Sequence, residues 1–143
     1  MSTKHAETVD SIPKIVNVLN QALRVEYSMI YHYPRIISRL RDEEAKKVLD
    51  RLVSESLEHA DMIAAAVREL GGEPAYAIGP FPAHLDLIEV RLQLEKEKLA
   101  LQLHREAAGL VPPSNPLRKT FSNLAKAEEF HILAVEGVLS RLS

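Results

Sequence analysis

The chain has 143 residues, 46% hydrophobic and 27% charged, with a formal net charge of −2; it can bury a core without covalent staples, and wholesale disorder is excluded. It has no cysteine, which excludes disulfides, thiolate metal sites, iron–sulfur clusters and thiol nucleophiles. No basic block points to nucleic acid, no window approaches ~18 apolar residues, and Met1-Ser2-Thr3-Lys4-His5-Ala6-Glu7 lacks the apolar run of a secretory leader, so a cytoplasmic protein with neither nucleic-acid nor membrane partner is expected.

Glycine and proline are sparse and clustered, while Leu, Ala, Glu, Lys and Arg dominate. Periodicity then predicts four helices in a single domain over 1–143. The first covers about 11–40, with Ser11 as N-cap and Pro13 in its first turn. Pro34 lies inside it and removes one backbone hydrogen bond, giving either a tolerated bend or an opening beside a site. The second covers about 42–70, capped by Asp42 and stopped by Gly71-Gly72 with Pro74 beyond. The third covers about 83–109, closed by Gly109 and Pro112-Pro113. The fourth covers about 114–142 and opens at Ser114 or Asn115 with Pro116 in its first turn. Short turns make helices one and two, and three and four, antiparallel hairpins. The link from Gly71 to Pro82 is proline-rich and reads as extended; a dozen residues at ~3.1 Å each reach roughly 37 Å, the length of a helix. An all-α antiparallel four-helix bundle with one long crossover between helices two and three is the expected fold.

Each helix carries an apolar stripe with a short polar interruption. Helix one reads Val16, Leu19, Leu23, Glu26, Ile30, Tyr33, Ile37, Leu40. Helix two reads Leu49, Leu52, Ser56, His59, Ile63, Ala66, Leu70. Helix three reads Leu85, Ile88, Leu92, Glu95, Leu99, Gln102, Glu106, and helix four Leu117, Phe121, Leu124, Glu128, His131, Val135, Val138, Leu142. A buried, unpartnered carboxylate is so costly that it neutralises, pairs or binds a metal. Heights agree as well. The midpoint of Glu26 and His59 falls between Asp42 and Glu43, and that of Glu95 and His131 at Pro113, both in the expected turns. The interruptions therefore meet near mid-bundle. Carboxylate and imidazole suit iron, manganese or zinc, and Glu128 and His131, three apart on a helix, reach one metal.

These segments resemble the bacterioferritin and rubrerythrin branch of the ferritin-like superfamily over about residues 12–142. Leu19-Asn20-Gln21-Ala22-Leu23-Arg24-Val25-Glu26, with Tyr33 seven residues on, is similar to the first-helix segment. Glu58-His59-Ala60-Asp61, Leu92-Gln93-Leu94-Glu95 and Glu128-Glu129-Phe130-His131 are similar to the second, third and fourth ligand segments. The resemblance implies a bundle of ferritin-like topology with a di-iron or di-manganese site. Glu26 and Glu95 are its terminal ligands, His59 and His131 its imidazoles and Glu128 a bridging carboxylate. It departs at Ser56, which stands where the family has the second bridging glutamate. Glu55, one residue earlier, can either swing in as a ligand or orient a histidine. Leu57 replaces the haem-holding methionine, so no haem is expected. The sequence lacks a Cys-x-x-Cys rubredoxin segment, and it ends with helix four, without the short fifth helix of cage-forming members.

Among other residues, Tyr33 reads as core or as a hydrogen-bonding neighbour of a ligand, able to quench a radical. Tyr27 and Tyr31 read as packing or interface. Met29 and Met62 read as core filler. Glu97 is an alternative to Glu95 but falls off the stripe and reads as solvated; His5, His32, His84 and His104 read as surface or edge residues. The functional expectation is a metal-binding protein with two ions per chain, iron with manganese or zinc as alternatives. It oxidises Fe(II) with dioxygen or peroxide for iron storage, homeostasis or detoxification, as a homo-oligomer (dimer or larger). A rubrerythrin-like peroxide scavenger and a non-catalytic helical scaffold with a degenerate site are the alternatives; Ser56 argues for the last.

Overall fold

The computed structural model describes residues 2–76 and 87–142, and the side chains of all of these except 2–11, Leu87 and Ile88. They form four helices, α1 (Ser2–Ile37), α2 (Glu43–Glu69), α3 (Leu87–Leu110) and α4 (Pro116–Leu142). No strand occurs among the described residues. α1 begins at Ser2 rather than near Ser11, and both Pro13 and Pro34 lie inside it. Thr3 to Asp10 contain no glycine or proline to halt a helix.

Local chemistry sets the other ends. Asp42 caps α2, its carboxylate accepting from the Ala45 amide at 3.0 Å. The same oxygen accepts from Arg141 at 3.0 and 3.2 Å and so ties the start of α2 to the last turn of α4. At the other end Gly71, with φ +84°, donates to the Arg68 carbonyl, and Gly72 donates to Val67. This left-handed termination suits glycine. Gly72 also packs so closely that an added Cβ meets Val16 at 2.8 Å. Asn115 caps α4 through the Leu117 amide, with Pro116 at the first helical position.

Side-chain pairs give the directions. Glu26 lies near His104 and Tyr33 near Glu97, so α1 and α3 are antiparallel. His59 lies near Glu128 and Asp42 near Arg141, so α2 and α4 are antiparallel. Asn20 meets Glu73 and Ala75, and Arg105 meets Glu129, so each hairpin is antiparallel too. α2 and α3 therefore run the same way, and the end of α2 and the start of α3 lie at opposite ends of the bundle. The link between them falls largely outside the described residues.

The apolar interior is in two parts. One end is filled by Leu19, Leu23, Ile63, Val67, Phe121 and Leu124, the other by Met29, Ile36, Leu49, Leu52, Val135 and Val138. Phe121 is fully buried. Phe121→Ala is expected to lower unfolding stability by ~3–5 kcal/mol, the usual loss for a core aromatic, read by urea denaturation of the metal-free protein. Met62, expected in the core, is 41% exposed; the helical period that buries His59 and Ile63 turns it outward.

Candidate metal centre

Between the two apolar parts lies a polar layer to which every helix contributes. Glu26 comes from α1, Ser56 and His59 from α2, Glu97 and His104 from α3, and Glu128 and His131 from α4; all are buried. Steps of three or seven residues keep each contribution on one helix face.

Glu128 is the hub. Its Oε1 lies 3.3 Å from His59 Nδ1 and 3.8 Å from His104 Nε2, and its Oε2 lies 3.5 Å from His131 Nδ1. His131 Nδ1 is 3.4 Å from Glu97 Oε1, and its Nε2 is 2.9 Å from Glu55 Oε1. His104 Nε2 is 3.9 Å from Glu26 Oε2. The His59 and His131 rings stack with centroids 5.1 Å apart. Tyr33 donates its hydroxyl to Glu97 Oε2 at 2.6 Å. Two ligand groups result, His59–Glu128–His131 and Glu26–His104–Glu128, each with donor atoms within 4.8 Å of one another and with Glu128 common to both.

Electrostatics describes a metal-free cluster that lives on protons. Burial, with Glu128 and Glu97 nearby, holds the Glu26 pKa well above the carboxylate range. Burial pushes Glu97 up to about 8. Burial opposes ionisation of Glu128 as well, but the His131 and His59 imidazoles beside it outweigh that and hold its pKa well below the usual value. His131 is the counterpart: burial favours its neutral form, yet Glu128 and Glu97 raise it to about 11. Desolvation pushes His104 down to about 4.

The donor set fits a metal better than it fits itself. Both carboxylate oxygens of Glu26, both ring nitrogens of His104 and Glu128 Oε2 are buried without a hydrogen-bond partner. Buried polar atoms are normally satisfied, and divalent cations are what imidazole and carboxylate donors bind. Glu55 is 40% exposed at its side chain. With Arg51, Phe130, Ala134 and His131 it lines a cleft of about 420 Å³ between α2 and α4, which reaches the layer from outside.

The structure brings together Glu26, His59, Glu128 and His131, and places Glu55 against His131. Glu95 is not with them. Its side chain is 70% exposed and pairs with Lys98, and Glu97 occupies the interior position. The inner face of α3 is Glu89, Gln93, Glu97, Ala100, His104 and Ala107, whereas Leu99 is 44% exposed and Gln102 and Glu106 are exposed. The expected α3 stripe was therefore turned outward: it followed Leu92, Leu99 and their neighbours, while the true inner face carries Glu89, Gln93, Glu97 and His104 among Val90, Leu103 and alanines. His104 and His32, read as surface or edge residues, are buried. A signal for Glu97 and His104 did exist. They are seven apart, as Glu26 and Tyr33 are, and antiparallel packing sets each against the opposite member of the other pair. His84 and the side chain of His5 lie outside the described residues.

His32 accepts from the Lys96 ammonium at 2.7 Å, and burial with that charge lowers its pKa to about 4. Unfolded, it takes a proton near 6.5. The native state thus loses stability as pH falls from about 6.5 towards 4. In His32→Gln this loss is expected to be shallower by up to one proton, read from the pH dependence of urea midpoints; an unchanged slope goes against it.

Four helices with one same-direction pair around a carboxylate and histidine layer define the ferritin-like bundle, and the chain is a member of the ferritin-like superfamily by fold. No protein-family model matches the sequence, and no curated protein matches it. Among solved structures the chain is similar to the bacterioferritin of Rhodobacter capsulatus, with 28% identity and a TM-score of 0.70 over 90% of this chain and 84% of that one. That protein is described with a metal-free dinuclear site and haem iron. The dodecameric thioferritin of Bacteroides fragilis, a bacterioferritin-related protein, is 18% identical with a TM-score of 0.79, covering 91% of this chain and 86% of that one. The bacterioferritin of Desulfovibrio desulfuricans, described with a di-iron site, is 18% identical with a TM-score of 0.78, covering 93% and 82%. No described helix is long and apolar enough to cross a membrane.

Proposed function

We propose that the polar layer is a dinuclear metal centre, with iron the favoured metal, and that the protein oxidises Fe(II) with dioxygen or peroxide in iron storage or detoxification. One observation carries this reading: Glu128 is shared by two ligand groups, in one of which both Glu26 oxygens and both His104 ring nitrogens are buried without a hydrogen-bond partner. A carboxylate so placed serves two cations at once, and a pair of iron ions supplies the two electrons that dioxygen or peroxide accepts.

The residues prepare for this chemistry. Glu26 and Glu97, with pKa values lifted by burial, and His131, protonated against Glu128 and Glu97, give up protons as cations enter. Tyr33 holds one oxygen of Glu97 and fixes which way the other points. Glu55, half in solvent at the mouth of the cleft, offers an arriving cation its first negative charge. With Glu26, Glu97 and Glu128 it supplies four carboxylates, which neutralise two divalent ions. Assembly of several copies belongs to the same reading; Tyr31 and Leu57 expose apolar surface at 44% and 49%.

Anaerobic titration with Fe(II), followed by admission of air, tests the reading. Uptake of about two ions per chain with oxidation much faster than in protein-free buffer supports it. No saturable uptake overturns it, and uptake without accelerated oxidation leaves a binding protein and removes the oxidase.

A further inference from the structure

We propose that His104 is a metal ligand, completing with Glu26 and Glu128 the half of the centre that Ser56 leaves short of a carboxylate. The inference rests on the dinuclear reading above and assigns an imidazole donor from α3, where the resemblance gives imidazoles from α2 and α4 alone.

Three observations carry it. His104 is fully buried, yet neither of its ring nitrogens has a hydrogen-bond partner. An imidazole held only by packing normally satisfies at least its N–H group. Secondly, Nε2 is aimed between two carboxylates on different helices, 3.9 Å from Glu26 Oε2 and 3.8 Å from Glu128 Oε1. These separations are too long for hydrogen bonds, and donors ~2.0–2.2 Å from one tetrahedral cation stand roughly 3.3–3.6 Å apart, so a shift of a few tenths of an ångström brings these atoms onto one ion. Thirdly, the α2 position three before His59 is a buried serine whose Oγ is itself unpartnered. Its hydroxyl brings no charge to the layer. The ion on the Glu26 side therefore has a neutral nitrogen where a bridging carboxylate would have stood. The two halves differ in consequence: one has His59 and His131 around Glu128, the other His104 and Glu26 around the same residue. The second half carries one imidazole against two carboxylates, and it is the half that a His104 substitution empties.

Titration of the apo-protein with Co(II), followed by its visible absorption and by calorimetry, tests this. The wild type is expected to take up about two ions per chain, and His104→Leu about one, with the remaining site within roughly tenfold of its original affinity. Ser56→Glu combined with His104→Leu is expected to recover the second ion. A His104→Leu protein that binds two ions with wild-type affinities overturns the inference and leaves the dinuclear reading intact; a wild type that binds none overturns both. Should the variants fail to fold, the crystal structure of the zinc-loaded wild type decides. An anomalous peak ~2.1 Å from His104 Nε2 supports the assignment, and zinc bound in the layer with His104 outside bonding distance overturns it.

Discussion

Glu128→Ala is expected to abolish tight binding of both ions, because both ligand groups depend on this one carboxylate. Its Oε1 faces His59 and His104 and its Oε2 faces His131. Losing an outer-sphere partner of a ligand already weakens a metal site by 10–100-fold in general, so loss of the shared ligand is expected to exceed ~100-fold at each site. The measurement is Co(II) or Fe(II) stoichiometry by equilibrium dialysis. Glu95→Ala is the matched control: its carboxylate stands on the outer face beside Lys98, and uptake is expected to equal that of wild type. Two ions retained by the Glu128 variant, or one lost in the Glu95 variant, count against the assigned centre.

Glu26→Leu is expected to make the metal-free protein more stable while weakening its metal binding. Both Glu26 oxygens are buried without a partner, and an unsatisfied buried polar group costs about 1–3 kcal/mol. For a chain of this size that corresponds to a rise in Tm of roughly 3–10 °C. The pH dependence has a definite sign. The native state keeps a proton on Glu26, since burial lifts its pKa well above the ordinary 4.5, whereas the unfolded chain releases it near that value. The metal-free native state thus loses stability as pH rises past 4.5, and the margin of the leucine variant widens from pH 5 to pH 8. Adding metal reverses the order, because binding to the native state stabilises the wild type by mass action. Calorimetric scans with and without zinc measure this; a variant that melts well below wild type without metal contradicts it.

Most of the fold was written in local signals. Asp42, Gly71-Gly72 and Asn115-Pro116 act at helix ends as their chemistry dictates, and the stripes on α1, α2 and α4 alternate with apolar residues on both sides of the polar layer. Those apolar flanks made Glu26, His59, Glu128 and His131 visible. α3 was opaque because its inner face inverts the usual code, presenting Glu89, Gln93, Glu97 and His104 inward and Leu99 outward. Hydropathy follows transfer from water, and in a functional layer coordination competes with transfer. Matching heights could not repair the register: the midpoint with His131 is Pro113 for Glu95 and Ser114 for Glu97, and both lie in the same turn. His104 was hidden for the same reason, since a histidine two turns beyond a misplaced glutamate is misplaced with it.

The split interior has a mechanical consequence. Two greasy plugs grip the helices at either end of the rod, and the waist between them holds together through proton-sharing acids and imidazoles. Without a bound cation that waist is expected to be the slack cross-section of the molecule, with main-chain amides around Glu26, His59 and Glu128 trading hydrogen for deuterium sooner than those beside Leu23 or Val135.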